Sequence, residues 1–391
     1  MLKKLTYNSI KFVMFLVFSI AYAGHISSVF AIEVQAKSAV IVEVSTGKTL
    51  LDKNADTPMA PASMSKLMTL YLLFERLKDG SLSLNDSFRV SENAWRKGGA
   101  KSGSSTMFLL PGQNVKIEDL IRGIIVQSGN DACIVVAEGI SGTEESFAEE
   151  MTVRGRAIGL LNSNFYNSTG WPHPDHLMTP RDLATLAAAI IDRFPEFYYY
   201  FRETEFSYGG IKQMNRNPLL YKNIDVDGLK TGHTLESGYG LTASALRGDR
   251  RVIVVVNGLH SRKQRSKEPE RLLNWAFREF NNYSLFKSGE KVEEASVWLG
   301  TAPSVPLVVK DDVKLTFKRK FRREMKVKLV YRSPISSPLT KGTEVGKIII
   351  TIPGQSNLEV PVLAGANVDQ LGLLGRLWSA FSALLFGVAG A

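Results

Sequence analysis

Three groups of residues in this sequence could cooperate in nucleophilic chemistry. Ser63 and Lys66 lie three apart in Ser63-Met64-Ser65-Lys66, just after Pro61 and at the start of an apolar run. Ser128 and Asn130 flank Gly129 after a second apolar run, and Lys230-Thr231-Gly232-His233 lies in a stretch of β-forming residues. On a helix, residues i and i+3 share a face, so the Lys66 amine can reach the Ser63 hydroxyl. A serine hydroxyl is a weak nucleophile until a neighbour takes its proton. Lys66 serves as that base only while its amine is neutral, a state favoured by burial, a helix N-terminus and a second cation. Lys230 is the natural second cation.

The other members have matching uses. Ser128 can relay a proton between a lysine and a leaving amine, and Asn130 can bind a substrate amide and steady Lys66. Gly232 lacks a side chain, which leaves room for an extended substrate to pair with the strand backbone. Lys230 or Thr231 can then receive a terminal carboxylate. The backbone N–H groups of Ser63 and His233 are candidates for an oxyanion hole, in which one donor is worth about 2.7–4 kcal/mol. Each group alone is weak evidence, since Ser and Lys three apart recur by chance and Lys-Thr-Gly is an ordinary strand end. All three in this order point to acyl transfer through a serine ester.

Rival chemistries have less behind them. His173 and His176 sit in Trp171-Pro-His-Pro-Asp-His176 with no further ligand pattern, so neither a metal nor another cofactor is expected. No G-x-S-x-G turn and no phosphate-binding loop is present. Cys133 is the single cysteine. It excludes an intramolecular disulfide, and its apolar setting reads as a buried structural thiol.

The elements that must position these groups follow from the surrounding pattern. Ala39–Val44, Ser45-Thr-Gly-Lys48 and Thr49–Leu51 read as a β-hairpin. Lys66–Phe74 reads as an apolar helix ending before Gly80. Ile117–Val126 and Ala132–Ile140 read as two helices broken at Gln127–Asn130, and Thr179-Pro180 as a helix start. Val226–Thr234, Tyr239–Ala245 and Val252–Val256 read as strands. Strands at both ends with helices between predict an α/β domain over 35–287, whose first and last segments share one antiparallel sheet. Composition shifts near 288, and short alternating runs over 288–366 predict a small all-β domain. Its basic stretch, Lys318-Arg-Lys-Phe-Arg-Arg323, reads either as a polyanion site or as a solvated turn.

Both ends carry targeting patterns. Lys3, Lys4 and Lys11 precede the apolar run Phe12–Ala23, the form of a secretory signal peptide within 1–31, cleaved after Ala23 or Ala31. Cleavage removes three lysines and takes the formal charge from +10 to +7. An exported basic protein meets anionic lipid and wall polymer, so nucleic acid is not an expected partner. Residues 370–391 place Leu374, Leu377, Trp378, Phe381, Leu384 and Leu385 on one helical stripe, an amphipathic membrane anchor.

The motifs resemble those of the low-molecular-weight penicillin-binding proteins of the D-Ala-D-Ala carboxypeptidase type, within the SxxK acyltransferase superfamily. Beyond the three groups, the likeness runs through Ser91-Glu-Asn-Ala-Trp95, Gly103-Ser-Ser105, Leu120-Ile-Arg-Gly123, Gln127-Ser-Gly-Asn-Asp-Ala-Cys133, Asn215-Arg-Asn217 and Val226–Thr234. It covers residues 35–285. The resemblance implies a β-lactamase/transpeptidase-like catalytic domain with a helical subdomain, a small all-β domain and a C-terminal amphipathic anchor.

It implies that Ser63 forms the acyl-enzyme, Lys66 accepts the proton, Ser128 is the second serine and Lys230 binds substrate. The implied activity is removal of the terminal D-alanine from peptidoglycan stem peptides, in cell-wall biogenesis and cell-shape control, with β-lactams as covalent inhibitors. The implied location is the periplasmic face of the bacterial inner membrane. Endopeptidase action on cross-linked stems, β-lactamase activity and a non-catalytic wall-binding role are the alternatives. Ser-Gly-Asn in place of Ser-Asp-Asn favours carboxypeptidase over class A β-lactamase. Lys97-Gly-Gly-Ala-Lys101 is shorter and richer in glycine than the family pattern, which bears on the deacylation step.

Overall fold

The computed structural model describes residues 32–386, and the chain divides after Gln35, with Ala36–Ala391 forming one compact unit. Residues 1–31, read from sequence as a signal peptide, and residues 387–391 lie outside the described residues.

The N-terminal half of the described chain is built on a five-stranded antiparallel sheet. Its strands are β1 (Ser38–Glu43), β2 (Thr49–Lys53), β3 (Val226–Thr234), β4 (Gly238–Arg247) and β5 (Arg250–Leu259), in the spatial order β2-β1-β5-β4-β3. The N-terminal strand thus pairs with the last one, Val40 opposite Val255. β5 is buried along nearly its whole length, and it reads as an apolar run rather than an alternation because helices cover both faces. Ile253 and Val255 join the helical core, while the helix Arg262–Glu279 covers the other face.

Between β2 and β3 lie the helices that carry the first two groups. α1 (Lys66–Lys78) is buried without interruption from Lys66 to Phe74, and α2 (Asn130–Ser141) from Asn130 to Ala137. Helices apolar on all sides sit at the centre of a core, which fixes Lys66 and Asn130 at the same depth. α3 (Glu144–Ala157) follows, and α4 (Pro180–Arg193) starts at Thr179, whose hydroxyl accepts from Asp182 N at 3.0 Å. α5 is the helix Arg262–Glu279.

Two local departures from the sequence reading occur at the site. Ser63 is not on the α-helix but in a 3-10 turn, Ala62–Ser65, that leads into it. Three residues per turn bring i and i+3 directly into line, a tighter alignment than an α-helix gives. The helix read over Ile117–Val126 is an α-segment to Arg122 followed by a π-turn, Gly123–Gln127. That turn ends on Ser128 with φ of 58°, a left-handed conformation uncommon for serine.

The β half begins earlier than the composition shift at 288 suggested. Phe280–Phe286 already pairs with Val313–Lys318, so the division falls at the end of α5. A six-stranded sheet follows, in the order Lys326–Tyr331, Glu344–Thr351, Leu358–Ala364, Ser304–Val309, Lys291–Trp298, Ile335–Ser336. Its core is built from alternate residues such as Val305, Leu307, Val309, Ile348 and Ile350. Buried Glu43 on β1 ties the halves together: Asn282 Nδ2 donates to it at 2.7 Å, and the Thr46 and Thr316 hydroxyls meet at 2.6 Å.

Leu373–Phe386 is helical, with Leu373, Leu374, Leu377, Trp378 and Phe381 all exposed. Among the described residues, no helix is long and apolar enough to cross a membrane.

Candidate active site

The fold gathers all three groups in one cleft. Lys66 is fully buried, and its Nζ lies 2.8 Å from Ser63 Oγ, 2.7 Å from Asn130 Oδ1 and 2.5 Å from the Thr169 carbonyl. A neutral amine has two N–H bonds for Asn130 and Thr169, leaving its lone pair toward the Ser63 hydroxyl. That is the geometry of a general base in direct contact with its nucleophile. Burial, first, pushes the Lys66 amine down to about 8, and Arg216 adds to the effect.

Lys230, on β3, is also buried; its Nζ donates to Ser128 Oγ at 2.9 Å and to the Thr231 carbonyl at 3.3 Å. Its amine is pushed well below the usual lysine value by burial and then by the Lys66 charge. Of the causes named from sequence for a neutral Lys66, burial leads, and the charge of Lys66 in turn lowers Lys230.

Gly232 lines the cleft and has a packing use as well. A Cβ there would stand 2.8 Å from the Pro61 carbonyl and 3.1 Å from Met64 Cγ. The missing side chain lets the nucleophile turn pack directly against β3, which sets the distance between Ser63 and the strand. Thr231 is buried beside it, and His233 is exposed at the cleft, stacked near Tyr239 with ring centroids 3.9 Å apart.

Several participants were not found from sequence. The Thr169 carbonyl is aimed by Asn167, whose Oδ1 accepts from the N–H groups of Thr169, Gly170 and Trp171 at 3.2, 2.7 and 3.1 Å. Gly170 has φ of 79°, and a Cβ on it would sit 2.0 Å from the Ala62 carbonyl, so the loop touches the nucleophile turn only because no side chain intervenes. Ser104 accepts from Asn130 Nδ2 at 2.9 Å, and Arg216 donates to Ser105 Oγ. The Gly-rich stretch is tied down at Lys97, which pairs with buried Glu144 at 2.6 Å; Glu144 in turn accepts from Ser168 N at 3.1 Å and Oγ at 2.8 Å.

The cleft has a volume of about 710 Å³, and its wall includes Ser63, Ser104, Ser128, Thr231, His233 and three arginines. A slightly larger hollow of about 770 Å³, beside Glu75, Arg154 and Arg193, holds none of these groups and is lined by closed ion pairs. Among the described residues, no group of three or more His, Cys, Asp and Glu is gathered to hold a metal ion. His176 is buried with Nδ1 accepting from Tyr166 N at 3.1 Å, and burial lowers it to about 4. Cys133 is buried, and its thiol is pushed up to about 12.

Comparison with known proteins gives the same outline. Residues 25–261 match the family model described as D-alanyl-D-alanine carboxypeptidase, and residues 280–370 match the penicillin-binding protein 5 C-terminal domain. The chain is 38% identical over 368 residues to the D-alanyl-D-alanine carboxypeptidase DacC of Escherichia coli, covering 93% of this chain and 92% of that one. It is 34% identical over 347 residues to DacF of Bacillus subtilis, covering 87% of each. Penicillin binding protein 5 from Haemophilus influenzae superposes with a TM-score of 0.77 at 35% identity, covering 88% of this chain and all of that one. The ampicillin-bound penicillin-binding protein D2 from Listeria monocytogenes covers 63% of this chain and 99% of its own, with a TM-score of 0.56 at 27% identity.

Proposed function

The chain belongs to the D-alanyl-D-alanine carboxypeptidase family, and we propose from that premise how its own residues act on a peptidoglycan stem. Ser63 Oγ attacks the carbonyl of the penultimate D-alanine while its proton passes to Lys66 Nζ. The C–N bond breaks as Ser128 Oγ relays the proton from Lys66 to the leaving amine, giving its own and taking that one in return, and D-alanine departs. Water then attacks the Ser63 ester and restores the hydroxyl. The observation that carries this reading is the buried Lys66 amine, 2.8 Å from Ser63 Oγ and lowered to about 8.

The terminal carboxylate of the substrate is received by Lys230 and Thr231, and the backbone N–H groups of Ser63 and His233 face the developing oxyanion. A carboxylate arriving beside Lys230 favours the charged form that burial disfavours, so binding and charging are coupled there. β-Lactams, which present an acyl group and a carboxylate in the same spacing, acylate Ser63.

The setting is the outer face of a bacterial inner membrane, where the protein serves cell-wall biogenesis and cell shape. Export is supported by the basic and apolar pattern of residues 1–31. Peripheral anchoring is supported by the exposed Leu374, Leu377, Trp378 and Phe381 of the C-terminal helix. Incubation with pentapeptide monomers and with cross-linked dimers tests the activity. D-Alanine released from monomers is the expected result; products from dimers alone would assign an endopeptidase. Removal of residues 370–391 is expected to free the protein from membranes with its activity intact.

A further inference from the structure

The cleft holds more positive charge than one terminal carboxylate can use. Its wall carries Arg216, Arg262 and Arg265 and no aspartate or glutamate. None of the three is in an ion pair among the described residues. Arg265 Nη1 donates to the Gly232 carbonyl at 3.4 Å, and its guanidinium lies over the Tyr239 ring at 5.3 Å. That places Arg265 beside the strand that receives the terminal carboxylate. Arg216 lines the same cleft, bonded to Ser105 Oγ. Arg262 is exposed, makes no hydrogen bond among the described residues, and is the one whose charge weighs on Arg216, Arg265 and His233 together.

Arg262 also opens α5, a helix with no acidic residue in its first turn. A cation at the positive end of a helix is locally unfavourable, and an anion bound there relieves both terms.

On the reading of this cleft as a D-Ala-D-Ala site, we infer that Arg262, which lines the cleft together with Arg216, forms a subsite for a second carboxylate of the substrate, N-terminal to the scissile bond. A carboxypeptidase leaves a single residue beyond the bond it cuts, and that residue's one carboxylate is the terminal one. Any further anion therefore belongs to the acyl part of the peptide. A planar guanidinium suits a carboxylate in two-point contact. The preferred substrate is accordingly a peptide with a free side-chain or α-carboxylate upstream of the D-Ala-D-Ala pair, and amidation of that group weakens it.

The test uses two peptides of one sequence ending in D-Ala-D-Ala, one with the upstream carboxylate free and one with it as carboxamide. The full-length enzyme is expected to favour the free acid by about tenfold in kcat/KM, the size of one charge-assisted hydrogen bond. Arg262→Gln is expected to bring the ratio near unity, and Arg262→Lys to leave an intermediate ratio. Stoichiometric acylation by penicillin reports that each variant is folded. A wild-type ratio near unity, or a ratio unmoved by Arg262→Gln, overturns the inference. If neither peptide loses D-alanine, the carboxypeptidase reading itself fails, whereas equal cleavage of both sinks only the second subsite.

Discussion

Lys66 Nζ stands 2.8 Å from Ser63 Oγ, held there by two uncharged acceptors, Asn130 Oδ1 and the Thr169 carbonyl. Among the described residues no carboxylate touches the amine, so burial dominates and the free base is accessible near pH 8. A salt-bridged lysine in the same place would be a proton donor, not an acceptor.

Acylation should therefore follow the titration of Lys66. The second-order rate constant for penicillin is expected to rise with pH through about 8 and then level, because the neutral form accumulates above the depressed value. An unperturbed lysine, near 10.4, would keep the profile rising beyond pH 9. Lys66→Arg is expected to lose at least about 100-fold at every pH, since a guanidinium does not give up its proton.

Lys230 makes a separate prediction. Its amine is depressed in the free protein, so an anionic ligand should draw a proton onto it. Ser63→Ala blocks acylation and leaves reversible binding. Calorimetry of that variant in buffers of different ionisation enthalpy is expected to show net proton uptake on binding. Binding heats independent of buffer would contradict it.

Asn167 positions the base through the backbone. Asn167→Ala removes the acceptor for three N–H groups and is expected to cost about 2–3 kcal/mol of stability and to slow acylation. Asn167→Asp keeps the acceptor oxygen and should recover most of the acylation rate. Equal slowing in both variants would show that Asn167 does not act through the Thr169 carbonyl.

Glu43 couples the halves of the molecule and sets an acid limit. Burial alone would raise its carboxyl, but hydrogen bonds from Asn282, Thr46 and Ser45 outweigh that and hold it below 4.5. A carboxyl depressed in the folded state contributes stability above its unfolded value, and the contribution is lost as pH falls below about 4.5. The thermal midpoint should drop more steeply between pH 5 and 3 in the wild type than in Glu43→Gln. Parallel curves would remove Glu43 from the coupling.

The parts of the site that a sequence displays are those whose side-chain types and order are unusual. Ser63, Lys66, Ser128, Asn130 and Lys230 announce a nucleophile, a base and their partners, and the alternating and apolar runs around them give the sheet and the buried helices. Asn167 and Thr169 left no such trace, because their contribution is a carbonyl direction created by a loop closing over α1. The packing of Gly232 against Pro61 was missed for a related reason: strand patterning says that a Cβ is missing, not which neighbour needs the space. The sequence does show Arg262, Lys263 and Arg265 crowding a helix start, where cations are locally disfavoured, a pattern the motif reading passed over.

The central claim is that Ser63 carries the acyl group with Lys66 as its base. Mass spectrometry of the intact protein after brief exposure to penicillin, followed by peptide mapping, tests it most directly. The account predicts one adduct per chain on Ser63, absent in Ser63→Ala and formed at least about 100-fold more slowly in Lys66→Arg. An adduct on any other residue, or unchanged labelling in Ser63→Ala, would contradict it.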